Sequence, residues 1–127
     1  MTTTPHRPSD VDDKAMRVFM KSLELAGGAG DLVKSGAHSY LPALLESSYV
    51  MVLKNEKHQP NEEIADYLGI STGAVSDILE APTEGALIRL THPSMEEDSP
   101  PDFGTVAGGL AKSAYQVIRR EEQQRAN

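Results

Sequence analysis

The side chains able to do chemistry in this chain are scattered. His6, His38, His58 and His92 have no second ligand at helical spacing, and there is no cysteine, so neither a zinc site nor a thiolate nucleophile is indicated. Serines occur throughout, but none sits in the glycine-flanked elbow that exposes a nucleophile at a strand–helix turn. The run 104–113, with Gly104, Gly108, Gly109 and Lys112, superficially matches a phosphate-binding loop. It fails the pattern because Lys112 does not follow the last glycine and no buried strand precedes it. Its small residues read instead as a place for close helix packing, within the domain or across a dimer interface. Glu62-Glu63 suits a helix N-terminus, and Glu96-Glu97-Asp98 reads as solvated linker. Neither makes a catalytic carboxylate pair. Lys112, Arg119, Arg120 and Arg125 could reach phosphates, but cations are also favoured near a helix C-terminus, and Glu121 and Glu122 neutralise them. No catalytic, cofactor or metal constellation emerges, and the expectation is a protein that is not an enzyme.

The elements that must position these residues are helical. The chain has 127 residues, 39% hydrophobic and 5% aromatic, with a net charge of −7. That length can bury a core without staples, here one of Leu, Ile, Val, Ala and Met. The acidic balance disfavours affinity for a phosphate backbone. The polar, proline-containing residues 1–10 read as a disordered tail and not as a signal peptide. No apolar run is long enough to span a bilayer, so a cytoplasmic location and no membrane partner are expected.

A first helix should start after Ser9 or Asp10, with Ala15, Met16, Phe19, Met20 and Leu23 as its apolar face, and stop at Gly27, Gly28 and Gly30. A short helix is expected at 31–36. The next, 41–54, has Pro42 in its first turn and a face of Leu41, Leu44, Leu45, Ser48 and Val52, with Tyr49 and Met51 beside it. Two short helices follow at 61–68 and 72–80. Residues 83–91 read as a short helix in preference to a wing strand, because no partner strand is evident. Residues 92–104 read as a linker. A last helix, 105–127, should pack on the 11–91 domain or on a dimer partner, through Val106 or Ala107, Leu110, Ala111, Ala114, Tyr115 and Ile118. The fold class expected is all-α, a small domain of about five to six helices.

The segment 62–80 carries the most information. Ile64 and Leu68 share a helix face, and Ala65 leaves room for a facing helix. Gly69 follows where the chain must turn sharply with φ positive. Ile70 returns to the core, Ser71 or Thr72 can cap the next helix, and Val75 and Ile78 bury that helix against the first. This is two helices crossing steeply through a glycine turn. The segment resembles the helix-turn-helix of bacterial and archaeal transcription regulators, with Ile64-Ala65, Leu68-Gly69-Ile70-Ser71, Val75 and Ile78 at that family's spacing. The resemblance covers 62–80 only.

It implies that 72–80 is a recognition helix offering Ser71, Thr72, Gly73, Ala74, Ser76 and Asp77 to double-stranded DNA. By the same logic the protein is a homodimer. This chain departs from the family in having no Arg, Lys, Gln or Asn in that helix. Over 42–90 the cations Lys54, Lys57 and Arg89 face eight acids: Glu46, Glu56, Glu62, Glu63, Asp66, Asp77, Glu80 and Glu84. That is a poor electrostatic footprint for DNA. The alternative the sequence leaves open is an adaptor that keeps the fold and binds a protein partner.

Overall fold

A computed structural model describes residues 10–30, 34, 41–84 and 103–126. Among these the chain is all-helical, with no strand: α1 (Asp10–Leu25), α2 (Leu41–Asn55), α3 (Asn61–Leu68), α4 (Thr72–Glu80) and α5 (Phe103–Ala126). The expected tail at 1–10, short helix at 31–36, helix or wing at 83–91 and linker at 92–104 lie almost entirely outside the described residues. At their margins Asp10 opens α1, and Phe103 and Gly104 belong to α5 rather than to a linker.

α1 begins with Asp10, Asp12 and Asp13 in its first turn, where carboxylates meet the positive end of the helix dipole. It ends when Gly27 and Gly28 take φ of 96° and 98°. Their N–H groups turn back to the carbonyls of Glu24 (3.0 Å) and Leu23 (2.7 Å), so the last turn is satisfied. Its buried stripe is Ala15, Val18, Ser22 and Leu23, with Phe19 half-buried. Met16 and Met20, expected on the core face, are 44% and 54% exposed. Ser22 takes an inward position because its Oγ donates to the Val18 carbonyl at 2.8 Å and needs no outside partner.

α2 is the central element. Val50, Met51, Val52 and Leu53 are all buried in succession, as in a helix enclosed on every side. α1, α3, α4 and α5 all pack on it. Ser48 sits in the core by donating to the Leu44 carbonyl, as Ser22 does in α1. Leu45, also expected to face inward, is 36% exposed because the N-terminal half of α2 is less enclosed.

α5 follows the expected face closely: Val106, Ala107, Leu110, Ala111, Ala114 and Ile118 are buried, and Tyr115 is half-buried. It lies on α1, α2 and α4 together. The approach to α4 is close at Gly108, where an added Cβ would lie 3.1 Å from the Ile78 carbonyl oxygen and from the Ala81 Cβ. Within the run 104–113, Ala107, Gly108 and Ala111 are buried in helix packing within the chain. No helix of the described residues is long and apolar enough to cross a membrane.

Candidate functional site

The α3–α4 pair is fixed by local chemistry at its turn. α3 ends at Gly69, whose φ of 71° lies in the left-handed region; the Gly69 N–H bonds the Ala65 carbonyl. The Ile70 N–H bonds the same carbonyl at 3.0 Å. Ser71 is the N-cap of α4, its Oγ accepting from the Ala74 N–H at 3.0 Å. Ile64, Ala65, Val75 and Ile78 are buried between the helices and the core, with Leu68 and Ile70 half-buried. A polar chain adds to the joint: Lys54 donates to Asn61 Oδ1 (2.9 Å), and Asn61 Nδ2 donates to Ser76 Oγ (3.3 Å), linking α2, α3 and α4.

The six residues expected to meet DNA divide on this geometry. Thr72, Gly73 and Asp77 are exposed on α4. Ser71 is also exposed, but its hydroxyl is engaged as the cap. Ala74 and Ser76 are half-buried, and Ser76 accepts from Asn61. The outward surface of the pair is therefore small and acidic, with Glu62, Glu63 and Asp66 on α3 and Asp77 and Glu80 on α4 all exposed.

Several cations of the described residues are already committed. Lys112 reaches from α5 to donate to the carbonyls of Leu79 and Ala81, the latter at 2.8 Å. It thereby closes the negative end of α4, at the opposite end from Thr72 and Gly73. Lys57 bridges to Asp10 at 2.9 Å, and Arg119 to Glu56 at 3.4 Å.

Glu56 heads a second polar cluster, which sequence spacing does not reveal. One residue beyond α2, it accepts from Lys14 Nζ (3.0 Å), from the Tyr115 hydroxyl and from Arg119 (3.4 Å). The tyrosine and lysine hydrogen bonds hold its carboxyl below the usual carboxylate range, against the opposing effect of burial. Burial and the bond to Glu56 push the Tyr115 hydroxyl up to about 12. A parallel pair joins α2 to α1: Tyr49 donates to Asp12, and this bond, with burial, raises Tyr49 to about 12. An ionised glutamate tied to two cations is poorly placed to give or take a proton at neutral pH. The hollow beside it, about 20 Å³, has room for a water molecule but not for a substrate. The cluster clamps α1, α2 and α5 together. Its members lie up to 105 positions from Lys14 to Arg119, so no local pattern could have announced it.

No family model, no curated protein and no solved structure matches the chain.

Proposed function

We propose that the chain is a helix-turn-helix DNA-binding transcriptional regulator, with α4 as its recognition helix. The observation that carries the reading is the α3–α4 turn. Gly69 in the left-handed region, the Ser71 cap and the buried set Ile64, Ala65, Val75 and Ile78 hold α4 with Thr72, Gly73 and Asp77 turned to solvent. The N-terminal end of such a helix is the part that meets base edges in the major groove. A homodimer would present two such helices to a two-fold operator. Met16 and Met20, exposed on α1 beside Ile118 of α5, offer apolar surface for that contact.

The acidity of the same surface favours a second reading, an adaptor that keeps the fold and binds protein. Glu62, Glu63, Asp66, Asp77 and Glu80 are exposed, and Lys112 is spent on the α4 carbonyls. Gel-shift titration of the full chain against pooled genomic fragments at low salt separates the two. The regulator shows a retarded complex whose affinity falls steeply as salt is added, and Thr72→Ala weakens it while the fold survives. Absence of any shift at low salt rejects the regulator and leaves the adaptor.

A further inference from the structure

Acidic side chains of the described residues divide by whether they form an ion pair. Asp10, Glu24, Glu56, Glu121 and Glu122 each meet a lysine or arginine within the chain. Asp13, Glu46, Glu62, Glu63, Asp66, Asp77, Glu80 and Glu84 meet none among the described residues. Four of these, Glu46, Glu62, Glu63 and Asp66, lie on α2 and α3 with two of the four large hydrophobic side chains exposed among the described residues: Tyr67 is 52% exposed and Leu45 36%.

These two are parts of one surface. Tyr49 lies one turn after Leu45 on α2, and its ring centroid is 6.4 Å from that of Tyr67 on α3, the planes tilted by 35°. Tyr49 is held in place by donating its hydroxyl to Asp12. Glu63 precedes Tyr67 by one turn, and Asp66 adjoins it, so the apolar patch has an acidic rim.

We propose that this α2–α3 face docks a basic amphipathic helix of a partner protein. Charge selects the partner: the unpaired carboxylates around the patch attract lysine and arginine and repel a nucleic-acid backbone or an acidic membrane surface. The apolar centre supplies what charge alone does not, an exposed tyrosine backed by a second ring, the kind of anchor that dominates protein interfaces. The described fold presents no sheet edge to which an extended chain could add a strand. An apolar helix face laid against two packed helices is one general mode of peptide capture, and it is the one proposed for this face. The surface shares no residue with Thr72, Gly73 and Asp77, so the inference does not depend on whether α4 meets DNA.

The test uses the isotope-labelled full-length chain and a synthetic amphipathic helix of leucine and lysine as probe, with a leucine–glutamate helix of the same pattern as control. The lysine probe should move amide resonances concentrated at 41–49 and 62–67. Tyr67→Ala and, separately, Glu63→Lys should each weaken binding about tenfold, the usual scale for an interface anchor. Both residues are exposed, and the thermal melt of each variant verifies the fold. The inference is overturned if the lysine probe does not bind, if the glutamate probe binds as well, or if the shifts centre on Met16 and Met20 or on 71–77. It is equally overturned if both folded variants bind like the parent chain, or if the patch proves to be buried in a homodimer.

Discussion

Glu56, one residue outside α2, accepts hydrogen bonds from α5 through Tyr115 and from α1 through Lys14, so its charge state bears on the packing of three helices. Its folded carboxyl titrates below the unfolded value near 4.5. The stability it contributes is therefore fully present above that value and is lost as pH falls through the lower, folded one. For Tyr49 and Tyr115 the sign reverses. Both are raised to about 12, so the protonated hydroxyl is the form the fold favours. Their contribution is intact below the ordinary tyrosine value of 10.0 and is lost as pH climbs from there toward 12. Thermal melts across pH should show both limbs. Glu56→Gln should cost about 1–2 kcal/mol at neutral pH, with partial exposure of the partners discounting the charged hydrogen bonds. It should also flatten the acid limb, and an unchanged acid limb would show that Glu56 does not tie the helices together. A mirror-image case of legibility lies at Ser22. Counting apolar residues alone passes it over for Met16 and Met20, because the bond that lets a serine into the core is made to its own helix.

At the scale of elements, what the sequence made legible was whatever is decided locally. The α3–α4 bounds of 61–68 and 72–80 follow from a cap, a glycine and a short apolar period within twenty or so positions. The inward faces of α1 and α2 were read less well, because they depend on which neighbours enclose each side: Met16, Met20 and Leu45 came out exposed, and Val50 and Leu53 went in. Gly69 offers a clean test of the local part. A Cβ there would meet nothing within 4 Å, so any cost of substitution comes from the backbone conformation and not from a clash. Gly69→Ala should lose about 1 kcal/mol, the cost of a left-handed residue with a Cβ, and Gly69→Asn should lose less. Denaturant titration measures both. If alanine and asparagine were equal to glycine, the turn would not depend on φ of 71°.

Across the whole molecule, the placement of α4 rests on α5 as much as on α3. Gly108 lets the α5 backbone come against Ile78 and Ala81, and one turn later Lys112 closes the carbonyls of Leu79 and Ala81. Neither is visible as a contact in the sequence, where α4 and α5 are separated by more than twenty residues; only the run of small residues hinted at close packing. Gly108→Ala adds a Cβ 3.1 Å from the Ile78 carbonyl oxygen and 3.2 Å from its Cα. Both are backbone atoms that cannot turn aside, so the helices must separate. Overpacking costs about 1–3 kcal/mol, and alanine's helix propensity returns up to about 1 kcal/mol. A net loss of about 1 kcal/mol is expected. Its distribution discriminates better than its size. Hydrogen exchange should quicken at the amides of 75–81, which α5 holds in place, and change less in α1, whose ion pairs to α5, Arg17–Glu122 and Lys21–Glu121, lie at the far end of that helix. Equal loss of protection in α1 and α4 would mean that α5 stabilises the bundle as a block. Loss confined to α4 would mean that the exposed surface of Thr72, Gly73 and Asp77 is set by a joint on the opposite end of the same helix. In that case any activity of that surface, toward DNA or toward protein, should weaken in Gly108→Ala without a single exposed residue having changed.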